Sequence, residues 1–156
     1  MSHATSREEA LAGFRDPGPG HRNCAQTVLW YAFRQLGEEP SFLYLARFLG
    51  GGLGRSGRLC GAVSGTALAF ALLTERRPGL TELVDPGAVL RGFVCDFEDR
   101  FGHVECRELT QCNLSNPEEL QRFREEGLST QRCEPLLQYA FEQVERLARG
   151  AGARTG

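Results

Sequence analysis

The sequence predicts an all-α fold, a single-domain helical bundle of about six or seven helices. Three observations predict it. Apolar residues recur at three- and four-residue intervals along most of the chain. Helix-start residues precede those stretches and glycine or proline follows them. No run of alternating apolar and polar residues forms a strand series. With 156 residues, 41% of them hydrophobic, the length suits one domain, taken as residues 1–156, with its own core.

The elements follow in order. Ser6 with Glu9 makes a capping-box signature before Ala10, Leu11 and Phe14, and the DPGPG after Arg15 stops that helix. Asn23 caps a second helix that runs to Leu36 and ends at Gly37, with Cys24, Val28, Tyr31, Ala32 and Leu36 on its inner stripe. Ser41 opens a third, carrying Phe42, Leu45, Phe48 and Leu49. A glycine-rich loop leads to a small-residue helix from about Cys60 to Leu73. Asp85 followed by Pro86 is an N-cap and first-turn proline for a helix closed by Gly102, with Leu90, Phe93, Val94, Phe97 and Phe101 as its stripe. A short turn of helix spans about Cys106 to Leu109. Asn116 and Pro117 open a helix closed near Gly127, and the last helix begins near Thr130. The tail GAGARTG reads as frayed.

Composition narrows the function. The net charge of -2 gives no reason to expect nucleic acid or an anionic membrane as partner. All 18 basic residues are arginine, which excludes a Schiff-base lysine and a Walker-type phosphate loop. The N-terminal stretch has acidic residues and no apolar signal region, and no apolar run is long enough to span a bilayer. A cytoplasmic location is expected. There, six cysteines read as catalytic, redox-active, metal-binding or buried residues rather than permanent disulfides.

The stretch GGGLGRSGRLCGAVSG, Gly50 to Gly65, contains G-x-G-x-x-G at Gly52, Gly54 and Gly57. A dinucleotide loop would need a strand before it and further βα units after it. The preceding SFLYLARFL has helical spacing and no such units follow, so no nucleotide is expected. Its right-hand end carries more weight. Gly61 and Gly65 form a face on which another backbone can approach closely, and Cys60 sits in the first turn. Unpaired N–H groups and the helix dipole there are expected to lower its thiol pKa.

Helical phase sorts the cysteines. Cys24, Cys60 and Cys133 can point inward; Cys95 lies opposite the apolar stripe of its helix, and Cys112 sits in the polar stretch TQCNLSN, so both are read as accidental. Phase leaves Cys106 undecided. NCAQ, GGGLGRSGRLCGAVSG, FGHVECREL and Cys133 before a final amphipathic helix occur in that order. In this the chain resembles the C-GCAxxG-C-C family of redox-active proteins, related to the C-terminal part of split-Soret cytochrome c. The resemblance covers about Asn23 to Leu147, although the central motif here runs C-G-A-x-x-G. It implies that Cys24, Cys60, Cys106 and Cys133 are the site, and it is compatible with a homodimer and an external redox partner. No C-x-x-C-H is present, so no haem is expected.

Four converging thiolates, each from a different helix or turn, suit an iron–sulfur cluster that transfers electrons. An all-cysteine zinc site usually shows two close cysteine pairs, which are absent. Two alternatives stay open. One is a metal-free thiol–disulfide protein with Cys60 as the attacking residue; the other is a non-catalytic scaffold or small-molecule binder whose cysteines only pack. His21 and His103 each stand three residues before a site cysteine, a spacing that on a helix would bring the pairs together, though solvated histidines near helix ends are the expectation. Arg107 is expected near thiolate or cluster charge, or paired with Glu105 or Glu108. Trp30, Tyr31 and Phe33 are expected in the core or at a helix contact.

Overall fold

The structure, a computed structural model, describes residues 3–80 and 85–150. Among the described residues seven α-helices are defined: α1 (His3–Arg15), α2 (Cys24–Gln35), α3 (Gly61–Arg76), α4 (Pro86–Phe101), α5 (Cys106–Thr110), α6 (Pro117–Glu125) and α7 (Glu134–Ala148). A 3-10 turn spans Leu43–Ala46, and a π turn, Ser129–Cys133, leads directly into α7. Among the described residues there is no strand, only an isolated bridge between Leu59 and Glu105. None of the described helices is long and apolar enough to cross a membrane. Most of the tail expected to fray, residues 151–156, lies outside the described residues.

The cap residues act as the sequence suggests. Asn23 accepts from the Gln26 N–H and Gln26 reaches back to the Asn23 N–H, a complete capping box at α2. Asp85 accepts from the Gly87 N–H, and Gly102 closes α4 with φ 87°. Asn116 accepts from the N–H groups of Glu118 and Glu119 at the start of α6. The first helix differs: it begins at His3, so Ser6 lies within it, buried, and does not cap it.

The expected third helix does not form. Only Leu43–Ala46 turns, and Phe42, Tyr44, Leu45 and Phe48 are exposed. The cause lies in α2. Asn23 Nδ2 donates to the carbonyls of Ala46 and Arg47 at 3.1 and 2.9 Å, and Gln26 Nε2 donates to that of Leu43 at 3.1 Å. The capping pair of α2 thus holds carbonyls that a continuing helix would turn toward its own N–H groups.

Helices α2, α3 and α7 pack on one another, with α1 against α2 and α4 against α3. The core runs through Val28, Tyr31, Ala69, Leu73, Leu137, Phe141 and Val144. A buried polar link crosses it. The Tyr31 hydroxyl donates to Glu145, whose carboxylate also takes two bonds from Arg7, at 2.8 and 2.6 Å. Phe33 is buried and Trp30 partly so, with Arg22 stacked 4.4 Å from the Trp30 ring centre.

The α2–α3 crossing is tight because of glycine. A Cβ at Gly61 would stand 2.7 Å from the Cβ of Cys24, and one at Gly65 would stand 2.8 Å from both the Cα and carbonyl oxygen of Ala25. The glycine face expected from the sequence is present and filled by backbone. Gly92, inside α4, faces open space instead. Gly92→Ala should therefore stabilise the fold by about 1 kcal/mol through helix propensity. Gly65→Ala should destabilise it by about 1–3 kcal/mol despite the same propensity gain, because backbone cannot yield; urea melts of the two variants measure the difference.

Candidate functional site: a buried set of cysteines

Cys60 and Cys106 are placed by backbone pairing. The N–H of Cys60 donates to Val104 at 2.8 Å, that of Cys106 to Arg58 at 2.7 Å, and that of Arg107 to Gly57 at 3.1 Å, on either side of the Leu59–Glu105 bridge. In so short an extended pair, side chains alternate between faces. Leu59 is exposed, while Cys60 and Cys106 are both buried on the other side.

The loop before this pair explains its glycines. From Gly51 to Arg55 five successive residues have φ between 62° and 71°, a left-handed turn. It delivers Arg58 N–H to the Gly52 carbonyl at 2.9 Å. A Cβ at Gly52 would lie 2.5 Å from the Arg58 backbone and 2.8 Å from the Cys106 Cβ. The G-x-G-x-x-G match thus reflects chain reversal and close approach to a cysteine. Leu53 and Arg55 adopt the same left-handed conformation without glycine's freedom.

Cys24 is the first residue of α2, and its thiol lies within reach of Cys133. Cys133 ends the π turn that feeds α7. Pro135 accounts for that turn: it has no N–H to donate and its ring crowds the carbonyl four residues back, so the helix widens there. Glu134, the next residue, is locked by Arg15 through bonds of 2.9 and 2.5 Å. The four cysteines thus come from four separate elements, and Cys24 is electrostatically coupled to each of the other three.

A family model described as "Putative redox-active protein (C_GCAxxG_C_C)" matches residues 22–147. The chain belongs to this family. No curated protein and no solved structure matches it.

In this C_GCAxxG_C_C protein three of the thiols, those of Cys24, Cys60 and Cys106, are pushed toward the protonated form. The thiol of Cys24 is raised well above its ordinary value, first by donating to Cys133 and then by burial. Burial also pushes the Cys60 thiol up strongly, with the neighbouring Cys24 adding to it. The N–H groups of Ala62 and Val63 do favour the Cys60 thiolate, as its place at the start of α3 suggests. They are outweighed, so the expected lowering is corrected: desolvation exceeds two hydrogen bonds. Cys106 is pushed up to about 11 by burial, the charge of Cys24 and that of Cys112, against a bond from Thr110. Among the described residues, no three His, Cys, Asp or Glu side chains gather closely enough to hold a metal ion.

Other expectations sort as follows. Cys95 is exposed, as phase suggests. Cys112 is not a loop accident: it is 1% exposed, lies in the core, and its charge reaches Cys106. Its sulfur accepts from Arg122 Nη2 at 3.6 Å and faces Arg132 Nη1 at 4.0 Å. The signal was present in the alternation of buried Thr110, Cys112 and Leu114 with more exposed Gln111 and Asn113, a period of two inside a stretch read only as polar. His21 and His103 are both exposed and outside the helices, so the three-residue spacing places neither over a cysteine. His21 instead bonds the Asp16 carbonyl at 3.1 Å. Arg107 donates to Asn113 at 3.2 Å, and Glu105 stands 3.9 Å from Arg58.

A pH dependence follows with a definite sign. Cys106 titrates near 11 when folded and near 9.0 when exposed. Between those values the folded chain keeps a proton the unfolded chain has lost, so stability is full below pH 9 and falls as pH rises through 11. Cys106 alone accounts for roughly 2–3 kcal/mol of that loss. Urea midpoints at pH 8 and pH 10.5 should show the decline, and Cys106→Ser should reduce it.

Proposed function

We propose that the protein is a thiol–disulfide redox carrier whose reacting pair is Cys24 and Cys133, with Cys60 and Cys106 completing the buried set. The observation that supports the reading is the interaction between the Cys24 thiol and Cys133, two sulfurs from different helical segments, which raises the Cys24 thiol. Oxidation joins the two sulfurs, releases two protons, and passes two electrons to an external partner disulfide, which is reduced to two thiols. That partner is a second protein or a second copy of the chain. Cys60, the attacker suggested by the sequence, fits the role less well because burial strongly favours its neutral form.

A second reading has its own support. The charges felt by Cys24, Cys60 and Cys106 are largely those of other thiols, a buried set of like groups. An iron–sulfur cluster held by Cys24, Cys60, Cys106 and Cys133 would supply the missing positive charge and one-electron chemistry. The donor set is chemically suited to it. The close gathering needed for a single zinc ion is lacking among the described residues, whereas a cluster distributes its thiolates over several irons.

Anaerobic purification, a visible spectrum and assays of iron and acid-labile sulfide separate the readings. The expected result is a colourless, metal-free protein that takes up two electrons reversibly. After oxidation, alkylation and trypsin, peptide 23–34 should be linked to peptide 133–146, and Cys24→Ser should abolish the link. Iron and sulfide that disappear in Cys60→Ser would establish the cluster instead. Absence of both link and cluster would leave the cysteines as packing residues.

A further inference from the structure

We infer that Cys112, a buried cysteine outside the family's four, is the relay through which oxidising equivalents enter the site, and that it exchanges disulfide with Cys106. This rests on the thiol–disulfide reading above. Three observations support it.

The first is location. Cys112 lies in the core beside Cys106, near enough for its charge to act on that thiol. The Thr110 hydroxyl donates to the Cys106 carbonyl at 2.7 Å, reaches that of Cys112 at 3.4 Å, and accepts the Cys112 N–H at 3.3 Å. Both carbonyls gather round one oxygen, so the chain folds back and brings residue 112 toward residue 106. Gln111, in the left-handed region at φ 56°, makes that reversal.

The second is the cover over the sulfur. Arg122 belongs to α6 and is exposed, and its guanidinium meets the Cys112 sulfur at a long 3.6 Å. Arg132 approaches from the π turn at 4.0 Å while its other contact, with the Thr110 carbonyl, ties it to α5. Both of these contacts are long, flexible side chains, and Arg122 is itself exposed. Two guanidinium groups also attract an anionic disulfide such as oxidised glutathione.

The third is connectivity. Cys112 is coupled to Cys106, Cys106 to Cys24, and Cys24 to Cys133. Cys60 in turn feels both Cys24 and Cys106, so electrostatic influence links all five cysteines.

The chemistry balances. The Cys112 sulfur attacks one sulfur of an external glutathione disulfide, breaking that S–S bond and releasing one glutathione thiolate. The Cys106 sulfur then attacks the Cys112 sulfur, expelling the second glutathione thiolate and leaving a Cys106–Cys112 disulfide. The two protons lost by the protein thiols are taken by the released thiolates. Two electrons have left the protein, and further exchange through Cys24 moves the oxidation to the Cys24–Cys133 pair without any net change.

Because every basic residue is arginine, trypsin places each cysteine in a separate peptide. The full chain carrying Cys95→Ser, reduced and then exposed to oxidised glutathione, is quenched at intervals by alkylation and mapped. Peptide 101–107 should appear linked to peptide 108–122 before peptide 23–34 is linked to 133–146. Adding Cys112→Ala should slow the second link at least tenfold. A Cys24–Cys133 link that forms first, or at an unchanged rate in Cys112→Ala, overturns the relay and leaves the proposed pair intact. Failure of any link to form overturns both. The order of links in the Cys95→Ser parent decides the matter even where Cys112→Ala fails to fold.

Discussion

The site depends on one close approach of two backbones. Where α3 crosses the start of α2, Gly61 and Gly65 allow the chain to come against Cys24 and Ala25 at distances no side chain would permit. That contact sets Cys60, just before α3, beside Cys24, the first residue of α2. The other two cysteines are then brought to this point, Cys106 by the short extended pairing with residues 57–60 and Cys133 by the π turn ahead of α7. A larger residue at either glycine would separate the helices and with them the sulfurs.

Gathering thiols in this way creates an electrostatic conflict. Each is removed from water, which favours the neutral form, and each would repel its neighbours if charged. Helix-start N–H groups ease the conflict at Cys60 without reversing it. Two outcomes relieve it fully: pairing the sulfurs covalently, or adding positive metal. Cys24, Cys60 and Cys106 are therefore pushed toward their neutral, poorly nucleophilic forms, and a reaction is favoured where a counter-charge is available. Cys112, with arginine on two sides, is such a place.

Much of this was legible in the sequence because caps and periodicity are local. Asn23, Asp85, Asn116 and Gly102 act at their own positions, and Gly61 and Gly65 act through the absence of a side chain. The failures share a cause of a different kind. The helix expected from Ser41 was lost to side chains of Asn23 and Gln26, nearly twenty residues away in sequence. The Cys60 thiol was misjudged because helix position is local and burial is not. Cys112 was missed because its flanking residues are polar and its partners, Arg122 and Arg132, arrive from later elements. Cys106 could be assigned only through family resemblance, since its position depends on pairing across more than forty residues.

The left-handed turn at Gly51–Arg55 has a consequence for how this protein can vary. Surface loops ordinarily absorb extra residues at small cost, because closure entropy rises slowly with length. This loop works instead as a gauge. Its carbonyls at Gly51 and Gly52 are tied to the N–H groups of Gly57 and Arg58, and the next residues pair with Val104 to Arg107. One residue added or removed between Gly52 and Arg58 would shift that pairing by a step, and along an extended segment a single step exchanges the two faces. Leu59 would then turn inward and Cys60 outward to water. The exposed side chains of Leu53 and Arg55 are free to change over evolutionary time, whereas the length of the loop is fixed by the address of a single sulfur atom.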